Sequence, residues 1–84
     1  MSRSAEEIQA WLVERVSVMA NVRPETVDPD RPIRNFGFDS LTLARLTFAL
    51  EEWLAFKFRE YPLDDYPTIA ALARHVADEV ARCK

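Results

Sequence analysis

One glycine, one cysteine and one histidine are all that 84 residues contain, and each scarcity removes a class of function. A single glycine leaves nothing from which to build a glycine-rich phosphate loop. A single cysteine, Cys83, excludes an internal disulfide and a cysteine-based zinc site. A serine hydrolase needs a base and a group that orients it. The one histidine, His75, falls at the margin of an apolar helical stripe and reads as a half-buried or solvated side chain. Asp64-Asp65 is the nearest thing to a metal cluster, but two adjacent carboxylates without further oxygen ligands do not make a site. No apolar segment opens the chain and no run approaches membrane-spanning length, so a cytoplasmic monomer with no membrane partner is expected. A net charge of −3 lacks the basic face that nucleic acid calls for. Little chemistry is left for the chain to perform alone, and it is expected not to be an enzyme.

What is present is core-forming material. Hydrophobic residues make up 49% and charged residues 30%, the balance of a globular domain, and 1–84 is expected to be one domain. Three amphipathic helices can be read. In the first, Ser4 and Glu7 fit a capping box, and Ile8, Leu12, Val16 and Met19 form a stripe that Ala5 extends. Glu6, Glu14 and Ser17 fall on the opposite side, Trp11 and Val18 widen the buried face, and the helix ends near Asn21. Residues 22–39 carry Pro24, Pro29 and Pro32 and form a long connection. Its apolar Val22, Val27, Ile33 and Phe36 should pin it to the core. The second helix runs from about Ser40 to Leu54, with Leu43, Leu46, Leu50, Trp53 and Leu54 facing inward. Pro62 starts a short helical turn through Asp65, and Thr68 caps the last helix. There Ile69, Leu72, Ala73, Val76 and Val80 form the stripe while Arg74, Asp78 and Arg82 face water. The fold class is all-α: a small bundle of three main helices plus a short helical turn.

The lone glycine stands three residues before a serine, in Gly37-Phe38-Asp39-Ser40-Leu41. Gly37 allows a positive φ that other residues resist. Asp39 and Ser40 are residue types that cap a helix start. A hydroxyl is thus offered at the head of a helix, on a turn that a large partner can approach. On the same helix Leu41, Ala44 and Phe48 make a second apolar face, with Arg45, Glu51 and Glu52 beside it. Such a face is either wedged between elements, Phe48 packing on the turn around Leu63, or docks a partner.

Gly37-Phe38-Asp39-Ser40-Leu41 resembles the G-[LF]-D-S-L attachment motif of acyl carrier proteins. Pro29-Asp30-Arg31-Pro32-Ile33 resembles the family's stretch before it. Asp65-Tyr66-Pro67-Thr68-Ile69-Ala70-Ala71-Leu72-Ala73 is similar to the segment that opens the last helix of polyketide-synthase-type carriers. The resemblance runs from Glu7 to Val80. It implies that Ser40 accepts a 4′-phosphopantetheine arm from coenzyme A, added by a separate phosphopantetheinyl transferase that Asp39 helps to engage. It further implies that the arm's thiol holds acyl groups as thioesters for polyketide-synthase or other acyl-transfer enzymes of secondary metabolism. An enzyme in trans, either an adenylating ligase or an acyltransferase, would load it.

Two departures bear on partners rather than on attachment. Arg45 stands where many carriers have a glutamate, so the docking face of Leu41, Ala44, Arg45 and Phe48 is less acidic than usual. Phe56-Lys57-Phe58-Arg59-Glu60-Tyr61 replaces a less charged, proline-containing stretch. A discrete acyl carrier is expected. A peptidyl carrier and an unmodified helical interaction module are the alternatives. Cargo and pathway are not legible in the residues.

Overall fold

The computed structural model describes residues 4–58 and 66–82. Within them three α-helices, α1 (Ala5–Ala20), α2 (Ser40–Leu54) and α3 (Ile69–Arg82), are joined by a long connection holding two 3₁₀ turns, Pro24–Thr26 and Ile33–Phe36. The short turn expected over Pro62–Asp65, the Asp64-Asp65 pair and Cys83 lie outside the described residues.

Each helix starts where its side chains can satisfy the first amides. The Ser4 Oγ accepts from the Glu7 amide at 3.1 Å while a Glu7 carboxylate oxygen faces the Ser4 amide at 3.4 Å, the capping box expected. The Thr68 Oγ1 accepts from the Ala71 amide at 3.1 Å and heads α3. α1 stops at Asn21, which takes a left-handed conformation with φ 58°.

The core is one cluster drawn from all three helices and the connection. Ile8, Leu12 and Val16 of α1 meet Leu46 and Leu50 of α2 and Ile69, Leu72, Ala73 and Val76 of α3. Val27 and Ile33 complete it from the connection, so the expected pinning holds at these two positions and, half-buried, at Phe36. Two backbone hydrogen bonds fix the connection against the start of α3. The Ile33 amide donates to the Pro67 carbonyl at 2.8 Å, and the Ala70 amide donates to the Pro29 carbonyl at 2.9 Å. Pro32 and Thr68 form an isolated antiparallel bridge between them.

Three expectations fail, each for a local reason. Val22 is exposed because it follows directly on the turn at Asn21, its amide donating back to the Ser17 carbonyl at 2.9 Å. That reversal lays Pro24 beside Val13 and Glu14, on the side of α1 taken to be solvated. Ser17 is buried, its hydroxyl satisfied by donating to the Glu14 carbonyl at 2.6 Å. Val18, expected to widen the buried face, is 68% exposed. Trp11 does widen it, stacking on Trp53 of α2 with ring centroids 5.0 Å apart.

Ile33 is fully buried although it sits in a proline-rich connection. Ile33→Ala should cost about 2–5 kcal/mol, the range for truncating a core aliphatic. Chemical denaturation checks this; a cost near zero would show that the connection does not share the core.

Candidate functional site: the turn at the head of the second helix

The second 3₁₀ turn ends on Gly37, whose φ of 81° and ψ of 20° place it in the left-handed region. Its amide donates to the Arg34 carbonyl at 3.1 Å. Nothing lies within 4 Å of where a Cβ would project, so φ, not crowding, is what calls for glycine here. The reversal redirects the chain through Phe38 into α2. Phe38 is half-buried against the core and its ring lies 6.2 Å from that of Phe36, which fixes the approach.

Asp39 is the N-cap of α2. Its Oδ1 accepts from the Thr42 amide at 2.8 Å, and its carbonyl accepts the first helical bond from the Leu43 amide at 3.0 Å. The Thr42 side chain, then the Thr42 amide, hold the Asp39 carboxyl below its ordinary value, with the Arg45 cation adding to the effect. Asp39 alone does the capping. Ser40 is the first residue of the helix itself, so its hydroxyl is not the cap that its residue type allowed. It is exposed, and the Oγ makes no hydrogen bond to any described residue.

The site therefore joins an unused hydroxyl, an open turn and the positive end of a 15-residue helix. Helix geometry leaves the first amides of α2 without intrahelical acceptors. Asp39 satisfies that of Thr42, and those of Ser40 and Leu41 stay available to an anion. A phosphodiester on Ser40 fits this arrangement.

Of the other expected site residues, Leu41 and Phe48 are 62% and 56% exposed, Arg45 is exposed, and Ala44 is half-buried. They share one side of α2, opposite Leu46 and Leu50. His75 is remote in role: it stacks on Tyr66 with centroids 4.0 Å apart, and its Nε2 lies 3.6 Å from Glu79. Among the described residues no cluster of metal ligands occurs, and no helix is long and apolar enough to cross a membrane. The buried Thr47, on the inner side of α2, went unpredicted. Its hydroxyl donates to the Leu43 carbonyl at 3.0 Å, a bond that a threonine four residues after a leucine could have suggested.

The bundle thus presents an exposed serine at a helix head, its hydroxyl bonded to no described residue. Comparison with known proteins gives the family: residues 10–76 match the phosphopantetheine attachment site, and the chain belongs to that family of carriers. It is 36% identical over 63 residues to polyketide synthase GfsA of Streptomyces halstedii, which is 75% of this chain and 1% of that synthase. A free-standing peptidyl carrier protein from Acinetobacter baumannii superposes with a TM-score of 0.82 at 32% identity, over 92% of this chain and 96% of that one. An acyl carrier protein from Anabaena with a variant phosphopantetheinylation-site sequence superposes at 0.84 with 31% identity, covering 92% and 88%. The helical-bundle reading and the phosphopantetheine reading are both borne out.

The division of labour between neighbours has a measurable consequence. Ser40→Ala should change stability by no more than about 0.5 kcal/mol, because its hydroxyl holds nothing. Asp39→Ala should lower the denaturation midpoint, since the Thr42 amide loses its acceptor. A lowered carboxyl contributes stability above its unfolded value and loses it as pH falls through the folded one. The gap between wild type and Asp39→Ala should thus close only on acidification below the ordinary value of 3.8. Equal losses from both variants at neutral pH would contradict the assignment.

Proposed function

We propose that residues 1–84 form one carrier domain in which Ser40 bears the 4′-phosphopantetheine arm. The single observation that carries this is the exposed Oγ of Ser40, unbonded at the head of α2 behind the left-handed Gly37. The Oγ attacks the pyrophosphate of coenzyme A at the phosphorus that bears pantetheine. A phosphodiester forms, adenosine 3′,5′-bisphosphate leaves, and the serine proton passes to a base of the phosphopantetheinyl transferase. Asp39 holds the helix start in place while presenting its carboxylate beside the serine, where the transferase engages. The arm supplies a thiol that holds acyl groups as thioesters. This chain contributes position and access, not catalysis: its one histidine is occupied with Tyr66.

Tethering gives each partner enzyme a high effective concentration of cargo. The cargo is an acyl group of polyketide or related secondary metabolism, loaded in trans by an adenylating ligase or an acyltransferase. The peptidyl carrier among the structural neighbours supports a second reading, an aminoacyl cargo on the same arm. Leu41, Ala44, Arg45 and Phe48 form the docking face, since an enzyme that reaches a thiol on Ser40 must also cover the first turns of α2. The exposure of Leu41 and Phe48 supports this; the alternative partner of Phe48, Leu63, lies outside the described residues. An apolar patch with a charged rim suits a brief, reversible contact.

Incubation with a phosphopantetheinyl transferase and coenzyme A should add one phosphopantetheine mass to the wild type and none to Ser40→Ala. Addition at another residue, or none, would sink the carrier assignment. Loading the holo form with aminoacyl or acyl donors separates the two cargo readings. Phe48→Ala should cost about 1 kcal/mol or less while slowing transfer from the loading enzyme. A large loss of stability instead would place Phe48 in the core.

A further inference from the structure

The second face of α2 does not end at the helix. Between α1 and α2 runs an open groove of about 480 Å³ whose walls are Trp11, Phe48 and Trp53 and whose charged margins are Arg15, Arg45 and Glu52. The Arg15 guanidinium lies 5.4 Å from the centre of the Trp11 ring, so its charge is held over the groove wall. Among the described residues neither Arg15 nor Arg45 is within ion-pair distance of a carboxylate, although Arg45 acts at longer range on Asp39. Beyond Arg15 the surface along α1 carries the exposed Val18 beside the carboxylate-bearing Glu14.

Position separates this groove from the bed of the chain's own arm. Arg45 is about 7.5 Å further along the axis than Ser40 and roughly 140° around it. The serine thus faces away from the groove, and an arm leaving it would have to wrap the helix to enter. The occupant comes from outside. Two arginines on the margins and a stacked tryptophan pair in the walls ask for a segment with carboxylates and a large apolar tip.

We propose that the groove between α1 and α2 receives an acidic, apolar-tipped segment of an enzyme that exchanges acyl groups with this carrier, with Arg15 and Arg45 pairing its carboxylates. The proposal rests on the carrier reading and adds α1 to the docking surface. It also sets the sign of the partner's surface, since a basic segment would be repelled by the two arginines.

Both tryptophans of the chain line the groove, so intrinsic fluorescence reports its occupancy directly. The probes are two tryptophan-free helical peptides with a Leu-Phe tip, one flanked by glutamates and the other by lysines, titrated into the holo protein. The acidic peptide should change the emission saturably, and binding should weaken about tenfold or more in Arg15→Glu/Arg45→Glu. That double variant should instead take up the lysine peptide, while Arg74→Glu on α3 should behave as wild type. Equal response to both peptides, no response to either, or an undiminished response in the double variant would overturn the proposal. So would concentration-dependent emission without peptide, which would make a second copy of the chain the occupant. Mass addition at Ser40, followed in the same samples, reports on the carrier reading independently of all these outcomes.

Discussion

The site depends on the way the long connection is fastened to α3. A connection of 18 residues with three prolines holds only two short 3₁₀ turns of its own, and its freedom would leave Ser40 at the end of a loose strap. The pair of backbone hydrogen bonds, from Ile33 to Pro67 and from Ala70 to Pro29, together with the side chain of Ile33 in the core, removes that freedom. Each bond contributes only about 1 kcal/mol. Burying the isoleucine contributes roughly 1.5–3 kcal/mol more. Both acceptors are proline carbonyls, that of Pro29 in the connection and that of Pro67 just ahead of α3.

From that fastening the functional geometry follows in order. Ile33 starts a 3₁₀ turn, the turn ends in the left-handed Gly37, and Gly37 aims the chain through Phe38 into α2. Asp39 then takes the capping duty, which spares Ser40 from it. Had the serine been the cap, its hydroxyl would have been committed to an amide in the first turn, that of Leu43 by the spacing of the other caps, and modification would have removed a structural bond. With aspartate in that place the Ser40 hydroxyl carries no structural load. A group added there, as proposed, would leave the fold unchanged.

Much of this was legible from the residues. The capping box at Ser4 and Glu7, the stripes of α1 and α3 and the Thr68 cap depend on local spacing, and local spacing is what a sequence states. The motif around Gly37 announced both the left-handed turn and the exposed serine. Failures came just past the end of a helix, where the path of the chain decides burial. Ser17 sits on the polar side of α1 by periodicity, yet it is buried where the chain reverses at Asn21 and the Val22 amide bonds back to its carbonyl. Val18 and Val22 are apolar by type but lie where nothing among the described residues covers them. The choice between Asp39 and Ser40 as cap is a one-residue question of helix start, which residue type alone could not decide. The groove between α1 and α2 was invisible because it needs two helices to cross at Trp11 and Trp53.

The central claim is that attachment chemistry and structural support are carried by different residues of one turn. A pair of amide NMR spectra, of the apo and phosphopantetheine-bearing protein under identical conditions, tests it most directly. The account predicts shifts confined to Gly37 through Arg45, with the amides of Ile8, Leu12, Ile33 and Leu72 unmoved. Shifts spread through those core positions would contradict it, because they would mean that modifying Ser40 rearranges the fold that presents it.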